Sequence, residues 1–259
     1  MTDVLVAGFK GSMGRQVVDL VKSMDGFEIS AVLDPTATAQ DVMSLGLPIT
    51  TPFYHDAVEI DGPVADLWVD FTVPAAVFAN AKAAINNGIV PIIGTTGLND
   101  QQVATLKKLA AEKGVGGLIA PNFGMSAVLL MKFAKEAAAY FPDVEIIEMH
   151  HADKADSPSG TALATAKMID EVRPEHESSP DKVSTLEHSR GGDYHGIHIH
   201  SVRLPGYVAH EQVLFGGPGE ALTIRQDSFD RHSFMSGVKV ALQKYQQLDN
   251  LVVGLEQIL

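Results

Sequence analysis

The sequence predicts an α/β fold in which a parallel sheet flanked by helices is followed by a second region built on a mixed sheet. Residues 3–8 form a short, nearly continuous apolar strand of the kind that parallel sheets cover on both faces. Strand and helix patterns then alternate as far as residue 120. Three later strand patterns, at 196–203, 208–215 and 221–226, are joined by Gly and Pro turns, which predicts antiparallel or mixed pairing.

The composition narrows the class of protein. The 259 residues carry a formal net charge of −13 and no run of Lys or Arg, which disfavours binding to nucleic acids or anionic membranes. The chain has no cysteine, so disulfides, thiol catalysis and Cys-ligated zinc are excluded. The sequence enters a strand pattern at once, and no apolar run approaches the roughly 18 residues of a membrane span. We therefore expect a cytoplasmic protein.

The first strand leads into a glycine-rich turn that opens a helix. Gly8, Gly11 and Gly14 are spaced G-x-x-G-x-x-G, a variant of the dinucleotide fingerprint. A tight turn, a backbone close to a pyrophosphate and a helix packed on a strand all require glycine there. The second strand, at 27–33, ends at Asp34, where an acceptor for the ribose hydroxyls belongs. These features predict a dinucleotide site.

Three further strand patterns, at 67–71, 90–93 and 117–120, also end in small or polar residues. The loops that follow begin with Phe71-Thr72, Gly94-Thr95-Thr96 and Ala120-Pro121-Asn122-Phe123. Because parallel strands end at the same edge of a sheet, where open α/β folds bind ligands, we expect these loops to contact the cofactor.

Residues 148–163 carry the densest polar chemistry of the chain. A strand pattern at 144–149 leads to the adjacent His150 and His151, and Lys154 follows. These side chains offer proton donors and a cation.

A helix start follows this pair of histidines. Ser157 is predicted as the N-cap and Pro158 as the first helical residue, with the helix continuing to residue 172. The first amides of a helix lack intrahelical partners and lie at its positive end. Ser159, Gly160 and Thr161 therefore predict a cradle for a carboxylate, and the missing Cβ of Gly160 lets an anion approach.

The second region raises two further questions. His198 and His200 alternate on one strand face and could share a metal, but the spacing places no third ligand, so we expect no metal site.

The strands of this region leave an apolar face larger than one or two helices would cover, which predicts a homo-oligomer. A helix at 124–140, a polar loop at 174–182, a final helix at 231–248 and an apolar tail at 252–255 complete the predicted elements.

With these residues in view, the chain resembles the dihydrodipicolinate reductase family of bacterial lysine and diaminopimelate synthesis over essentially its whole length. The likeness rests on the glycine turn at 8–14, Phe71-Thr72, Gly94-Thr95-Thr96-Gly97, Ala120-Pro121-Asn122-Phe123, the run Glu148-x-His150-His151-x-x-Lys154-x-Asp156-x-Pro158-Ser159-Gly160-Thr161-Ala162, the run Ile199 to Gly206, and His210-Glu211. The run that begins at Glu148 is the most specific of these.

The resemblance implies a fold, an activity and roles for individual residues. It implies a Rossmann-type dinucleotide-binding domain at 1–122 plus 232–259, with an inserted α+β substrate-binding and tetramerisation domain at 123–231. It implies NADH or NADPH contacts at Gly8, Phe9, Lys10, Gly11, Ser12, Met13, Asp34, Gly94, Thr95, Thr96, Ala120, Pro121, Asn122 and Phe123. It implies a catalytic pair, His150 and Lys154, substrate contacts at His151, Gly160 and Thr161 beside Ser159 of the cradle, and Arg231 as a residue that helps to close the site.

The implied reaction suits these residues chemically. Hydride goes to C4 of a cyclic, conjugated imine dicarboxylate, formed from the 4-hydroxy substrate by loss of water, and negative charge then develops on the ring nitrogen. A protonated donor and a nearby cation lower such a barrier. His150 and Lys154 suit these roles, and the sequence leaves open which one delivers the proton.

The sequence also predicts which cofactor is used. Asp34 can accept hydrogen bonds from both ribose hydroxyls of NADH, whereas the 2′-phosphate of NADPH usually requires a nearby arginine. Some family members carry arginine directly after the acidic residue; here Pro35 stands there, and residues 35–40 contain no arginine. Lys10 is the one cation expected to reach the phosphate. We therefore expect NADH to be used at least as well as NADPH.

Two other functions are compatible with parts of the sequence. A related two-domain amino-acid dehydrogenase would share the glycine turn but should lack the arrangement from His150 to Thr161. A non-catalytic nucleotide sensor would also keep the glycine turn, but it would leave the cations of the second region unexplained.

Overall fold

The computed structural model describes residues 1–175, 183 and 185–259, and most of the loop predicted at 174–182 lies outside them. The described chain divides into two compact units, Met1–Phe123 with Phe234–Leu259 and Gly124–Ser233. Each unit is built on its own sheet.

The regular elements of the described residues are numbered in chain order. The strands are β1 (Thr2–Ala7), β2 (Phe27–Leu33), β3 (Phe53–Tyr54), β4 (Leu67–Asp70), β5 (Val90–Ile93), β6 (Gly117–Ile119), β7 (Asp143–His150), β8 (Gly192–Tyr194), β9 (Ile197–Arg203), β10 (Ala209–Gly217), β11 (Glu220–Ser228) and β12 (Leu251–Val253). The helices are α1 (Ser12–Ser23), α2 (Ala39–Ser44), α3 (Pro74–Asn86), α4 (Asp100–Lys113), α5 (Met125–Ala138), α6 (Gly160–Asp170) and α7 (Ser233–Lys244).

The first unit is a seven-stranded parallel sheet with the order β12-β6-β5-β4-β1-β2-β3. From β1 the chain first adds β2 and β3 on one side and then β4, β5 and β6 on the other. The reversal between β1 and β4 is the topological switch point at which such sheets bind ligands. The sequence-based prediction of a Rossmann-type fold is confirmed.

Burial on both faces explains the continuous apolar strands of this unit. Leu5 and Trp68 are fully buried in one apolar cluster, and Ile93 and Leu106 lie in a second cluster. The predicted C-terminal tail does not merely dock on the surface. Residues Leu251–Val253 form β12, which pairs with β6 and extends the parallel sheet by one strand.

The second unit is a five-stranded mixed sheet with the order β11-β10-β7-β9-β8. β7 and β9 run parallel, whereas the other neighbours are antiparallel. Helices α5 and α6 cover one face, which we call the inner face. Leu130 of α5 and Ile169 of α6 pack there with Ile146, Val213 and Phe215 of the sheet.

The apolar side chains behind the prediction of an oligomer are divided between the two faces of this sheet. Six apolar side chains of β7, β9 and β10 point to the inner face, where α5 and α6 bury them within the unit: Val144, Ile146, Ile197, Ile199, Val213 and Phe215. By alternation the opposite face presents a mixture of polar and apolar side chains, which includes Glu145, Ile147, His198 and His200. Two helices therefore cover the inner face, and the homo-oligomer stays a prediction.

None of the helices in the described part of the chain combines the length and the apolar character that crossing a membrane requires.

Candidate active site

The glycine turn after β1 is shaped by contacts that no larger residue would permit. Gly8 has φ +79°, and a Cβ there would lie 2.3 Å from the carbonyl oxygen of Phe71. A Cβ on Gly14 would lie 2.1 Å from the carbonyl oxygen of Gly8, so this glycine lets α1 pack against the turn. Gly11 is the N-cap of α1 and supplies no side chain to its first amides. The turn therefore presents backbone N–H groups at the positive end of a helix, which suits a pyrophosphate.

A cavity of about 500 Å³ opens beside this turn, at the ends of β1, β2 and β4. Its polar lining residues include Asp34, His55, Asp56, Thr72 and Asn80. Among the described residues that line it there is no Lys or Arg. The cavity lies at the topological switch point, and its size and position fit the adenosine half of a dinucleotide.

The acidic residue at the end of β2 has local partners. Oδ1 of Asp34 accepts hydrogen bonds from the backbone N–H of Thr36 (2.9 Å) and from its hydroxyl (2.8 Å). Its other oxygen is the one that remains for ribose hydroxyls.

Lys10, predicted as the cation for a 2′-phosphate, is engaged by an acidic neighbour. Its Nζ donates to the carbonyl oxygen of Thr36 (2.8 Å) and to Oδ2 of Asp41 (2.9 Å). The same carboxylate accepts from the hydroxyl of Thr38 and caps α2. The hydrogen bond from Thr38, followed by that from Lys10, lowers the pKa of Asp41 below its ordinary value. A second carboxylate therefore lies within reach of any phosphate that Lys10 could bind.

Asp70, at the end of β4, joins the loops of three elements although it is fully buried. Its Oδ1 accepts from the backbone N–H and hydroxyl of Thr72 and from the hydroxyl of Thr95 (3.1, 2.7 and 2.7 Å). Its Oδ2 accepts from the side-chain amide of Asn80 (2.8 Å) and from Nε1 of Trp68 (3.4 Å). Asp70 thus fixes the loops after β4 and β5 to the middle of α3, at the edge of the sheet where the cavity opens.

The other residues predicted to bind the cofactor lie at the carboxyl ends of β1, β5 and β6. The side chains of Phe9, Ala120 and Phe123 are buried, so Phe9 and Ala120 can offer only backbone atoms to a ligand. A Cβ on Gly94 would lie 2.3 Å from the Phe71 ring, which in turn packs on Phe123. Ser12, Thr96 and Pro121 are exposed, and Met13 and Asn122 are half-buried.

In the second unit, the inner face of the sheet changes from apolar to polar along the strands. Val213 pairs in register with Ile146 in the apolar part. Two residues further along, Glu211 pairs with Glu148, and beyond it Arg203 pairs with His150. Because side chains alternate along a strand, these polar groups share the face that α5 and α6 cover.

Glu148 is the centre of this polar group, with no exposed side-chain surface. Its Oε2 accepts from Nδ1 of His150 (2.6 Å) and Nη1 of Arg203 (2.7 Å). Its Oε1 accepts from Nη2 of Arg203 (2.7 Å) and the backbone N–H of Ser159 (3.1 Å). Burial alone would raise the pKa of Glu148, but the hydrogen bonds from His150, Arg203 and Ser201 outweigh it and lower the pKa to about 2.

An ionised Glu148 fixes the orientation of the predicted proton donor. A carboxylate can only accept, so Nδ1 of His150 carries the hydrogen that it shares with Glu148. Nε2 is then the ring nitrogen that remains for a substrate, and the His150 side chain is 14% exposed.

Lys154 is the other residue of the predicted catalytic pair and lies in the loop after β7. Its ion-pair partner is Asp156, not Glu148. Its Nζ forms an ion pair with Oδ1 of Asp156, and this hydrogen bond lowers the pKa of the aspartate. The carbonyl oxygen of Asp156 accepts from Nη2 of Arg203 (2.8 Å). Arg203 therefore connects the loop that carries Lys154 to Glu148 and hence to His150.

The helix after the histidines begins two residues later than the sequence predicts. Ser159, not Ser157, is the N-cap of α6, because its hydroxyl accepts from the backbone N–H of Ala162 (3.1 Å). Pro158 precedes the helix and follows a cis peptide bond. The backbone N–H of Ser159 already donates to Glu148, and the residue is 2% exposed, so it supports the helix start rather than facing solvent.

The next two residues have the openness that an anion site needs. Apart from the adjoining residues and the backbone of α6, a Cβ built on Gly160 meets no atom within 4 Å, and the backbone there has no positive φ. The protein itself therefore does not require a glycine at this position. Thr161 is half-buried, and its carbonyl oxygen accepts from the hydroxyl of Thr165 (3.0 Å).

Two residues predicted to lie at the site, His151 and Arg231, have no contact with Glu148 or its partners among the described contacts. Nδ1 of the exposed His151 is 2.6 Å from Oδ1 of Asp153, whose pKa this contact lowers. Arg231 is exposed in the turn between β11 and α7.

Glu148, Arg203 and Glu211 have no role that the sequence alone indicates. The period of two along a strand was the available signal, because Glu148 stands two residues before His150 and must share its face. Arg203 could not be placed without the register between β7 and β9, which the sequence does not give.

Of the histidine pair on β9, His200 has a carboxylate partner, whereas Nδ1 of His198 is buried without a hydrogen-bond partner among the described residues. Nε2 of His200 lies 2.8 Å from Oε2 of Glu145, which also pairs with Arg190. Within the described ranges, no three His, Asp or Glu side chains converge as a metal site.

The comparisons with known proteins cover both units. The profile described as dihydrodipicolinate reductase, N-terminus, matches residues 2–123, and the profile described as dihydrodipicolinate reductase, C-terminus, matches residues 126–259. A 4-hydroxy-tetrahydrodipicolinate reductase from Limosilactobacillus fermentum is 66% identical over 259 residues, which are 100% of each chain.

Solved structures agree with the sequence comparison. A dipicolinate-bound dihydrodipicolinate reductase from Paenisporosarcina sp. TG-14 superimposes with a TM-score of 0.88 and 46% identity, covering 100% of each chain. A probable dehydrogenase from Thermotoga maritima has a TM-score of 0.67 at 14% identity, covering 98% of this chain and 91% of its own. The second likeness shows only a shared fold. The profile matches and the identity over the full length lead to one conclusion: the chain belongs to the dihydrodipicolinate reductase family.

Proposed function

We propose that the protein reduces 4-hydroxy-tetrahydrodipicolinate to tetrahydrodipicolinate, with loss of water, in the cytoplasmic synthesis of lysine and diaminopimelate. The observation that carries this proposal is the polar end of the inner sheet face, where Glu148 holds His150 and the start of α6. A proton donor and a helix start with an open glycine are what a dicarboxylate needs if it is to be protonated as it is reduced. The 66% identical relative bears the name of this activity over its full length.

The cofactor is a reduced nicotinamide dinucleotide, and the first unit has the features to hold it. The glycine turn would accept the pyrophosphate, and the cavity that Asp34 lines would accept the adenosine. When bound, the dinucleotide supplies the hydride. The overall balance is one substrate, one reduced cofactor and one proton giving tetrahydrodipicolinate, oxidised cofactor and water.

The residues of the second unit would bind and protonate the substrate. The backbone N–H groups of Gly160 and Thr161 would bind a substrate carboxylate at the positive end of α6. His150 and Lys154 would meet the negative charge that develops on the ring nitrogen, one as proton donor and the other as a fixed cation. The ammonium group of Lys154 is paired with Asp156 in the structure. To contact the substrate it would either leave Asp156 or bind both groups at once.

NADH is proposed to serve at least as well as NADPH. The cavity wall carries Asp34 and Asp56, and the described lining contains no Lys or Arg. Lys10 is already paired with Asp41. A 2′-phosphate would therefore bring negative charge towards carboxylates without gaining an unpaired cation, whereas ribose hydroxyls can donate to Asp34.

We further propose that the protein is a homotetramer. The resemblance to the family motivates this proposal, and the sheet face opposite α5 and α6 is the surface that could form the contacts. Sedimentation of the purified protein at micromolar concentration should give four times the chain mass of 27.6 kDa. A monomer would contradict the proposal.

Turnover of the unstable substrate tests the proposed activity. The substrate is made in the cuvette from pyruvate and aspartate semialdehyde by a separate synthase, and oxidation of NADH is followed by absorbance. Oxidation should require this protein, the synthase and both synthase substrates. A protein that binds NADH but never oxidises it under these conditions would be a nucleotide sensor instead.

A further inference from the structure

Two buried carboxyl groups lie side by side beneath the proposed proton donor. Glu211 on β10 is in register with Glu148 on β7, and both face the helices. Directly opposed residues of this kind have Cβ atoms about 4.5–5.5 Å apart. Glu211 is 2% exposed, and the proposed mechanism assigns it no role.

The two carboxyl groups differ completely in their partners. Glu148 accepts from His150, from both terminal nitrogens of Arg203 and from the Ser159 amide. Among the described residues, the polar group beside Glu211 is the hydroxyl of Thr165, which already donates to the carbonyl oxygen of Thr161. Oε1 of Glu211 is buried without a partner in the described part of the chain. Every cationic contact of the pair therefore goes to Glu148.

The groups that face Glu211 offer no compensating positive charge among the described residues. They are Glu148 from β7 and Gln226 from β11, both in register with Glu211, and Thr165 from α6. On α5, Ser126 donates to Gln226 (3.2 Å), and the cation Arg203 lies on β9, one strand beyond β7. Arg203 uses its terminal nitrogens on Glu148 and on the carbonyl oxygens of Val202 and Asp156. Burial raises the pKa of Glu211 to about 7, and the charge on Glu148 adds to this against the hydrogen bond from Thr165.

We propose that Glu148 and Glu211 work as a pair that carries a single negative charge. Glu148 keeps the charge and is a positioning residue that orients His150 and holds the start of α6. Glu211 keeps a proton, so that a second charge does not arise beside the site where the dicarboxylate binds. The proposal deepens the proposed function and rests on it for the identity of the ligand.

If the pair carries a single charge, both dipicolinate binding and the stability of the fold should weaken as the pH rises. Above pH 7 an ionised Glu211 must regain a proton before a dianion binds, so the Kd of dipicolinate should rise by up to about tenfold per pH unit from this group. The folded protein also holds this proton more firmly than the unfolded chain does, since the ordinary pKa is 4.5. The stability from this group is therefore complete below about pH 4.5 and is lost as the pH rises through about 7.

The decisive comparison is between two isosteric substitutions on neighbouring strands. E211Q imitates the protonated carboxyl at every pH, whereas E148Q removes the charge that orients His150. Dipicolinate binding by calorimetry and kcat are measured from pH 6 to 9, and denaturant unfolding is measured from about pH 4.5 to 9, for the parent and for both variants. E136Q, at an exposed position of α5, controls for the loss of a glutamate charge.

We expect E211Q to flatten the rise in Kd above pH 7. We expect its stability relative to the parent to increase from about pH 4.5 to about pH 7 and to stay constant above that. E148Q should lose about 10²-fold in kcat at all pH values, with E148D, which keeps a carboxylate, recovering part of it. If the parent and E211Q show the same pH dependence of Kd and of unfolding, the pair does not exist. The unfolding measurement needs no ligand, so it tests the pair independently of the proposed function. If the parent and E211Q differ in the pH dependence of unfolding but the parent does not turn over the substrate, the proposed function is overturned and the carboxyl pair is retained.

Discussion

The ammonium group of Lys10 lies 2.9 Å from Oδ2 of Asp41, at the edge of the sheet where β2 ends. Their side chains are 28% and 27% exposed, so solvent screens the pair only in part. This contact changes the expectation for cofactor choice, because the cation nearest to a 2′-phosphate comes with a carboxylate of its own.

Asp41→Asn should therefore raise kcat/KM for NADPH relative to NADH by about two- to fivefold, the scale of a partly exposed charge pair. Lys10→Ala should lower the same ratio, because the remaining Asp41 repels the phosphate. Both cofactors are measured at fixed ionic strength, with Asp25→Asn at an exposed position as the control. A parent that prefers NADPH by more than about tenfold would mean that an unidentified cation reaches the ribose.

The catalytic pair predicts losses in turnover that spare cofactor binding. His150→Gln and Lys154→Ala should each lower kcat by about 10² or more, because each removes a positioned donor or charge. NADH affinity should stay near that of the parent, since both residues lie in the second unit. His232→Gln and Lys135→Ala make the same chemical changes at exposed positions and serve as controls. Near-normal turnover in both site variants would remove these residues from the mechanism.

Gly160 offers an unusually clean test of the carboxylate site. Apart from the adjoining residues and the backbone of α6 itself, no protein atom lies within 4 Å of a Cβ at this position. Gly160→Val should therefore fold like the parent, so that any loss of dipicolinate binding reports on the space that the ligand occupies. We expect a loss of at least about tenfold in affinity. Thr161→Val keeps the backbone donors and should raise KM more than it lowers kcat. Unaltered dipicolinate binding by Gly160→Val would place the cradle elsewhere.

Asp70 is predicted to hold the cofactor loops in place. In Asp70→Asn one oxygen becomes a donor, and the five groups around Asp70 are all donors, so at least one buried group loses its acceptor. The cost should be about 1–3 kcal/mol in the free energy of unfolding, together with a higher KM for NADH. Asp61→Asn, at an exposed position, should change neither quantity. Parent-like stability and KM would show that the loops do not depend on Asp70.

Much of the fold followed from local patterns. The continuous apolar strands of the first unit and the glycine turn have local causes, and the parallel sheet and Asp34 stand where the sequence places them. The start of α6 was misplaced by two residues because several Ser residues could act as the cap, and only the geometry of Ser159 decides between them. β12 was missed as a strand because its pairing with β6 joins residues more than 100 positions apart.

The candidate site was predictable only in its local part. His150, Lys154 and Gly160 lie in one short stretch whose residue types indicate their chemistry. The partners that orient them come from distant strands, and Arg203 and Glu211 meet Glu148 through register alone. The pairing of Lys10 with Asp41 likewise depends on how α2 folds back on the glycine turn.

The transfer of a labelled hydride tests the central claim most directly. NADH carrying deuterium at the transferable position of the nicotinamide ring is consumed with freshly formed substrate, and the product is analysed by mass spectrometry and NMR. The account predicts tetrahydrodipicolinate with one deuterium at C4 for each NADH oxidised. Oxidation of NADH that leaves no deuterium in the product, or no oxidation at all, would contradict it.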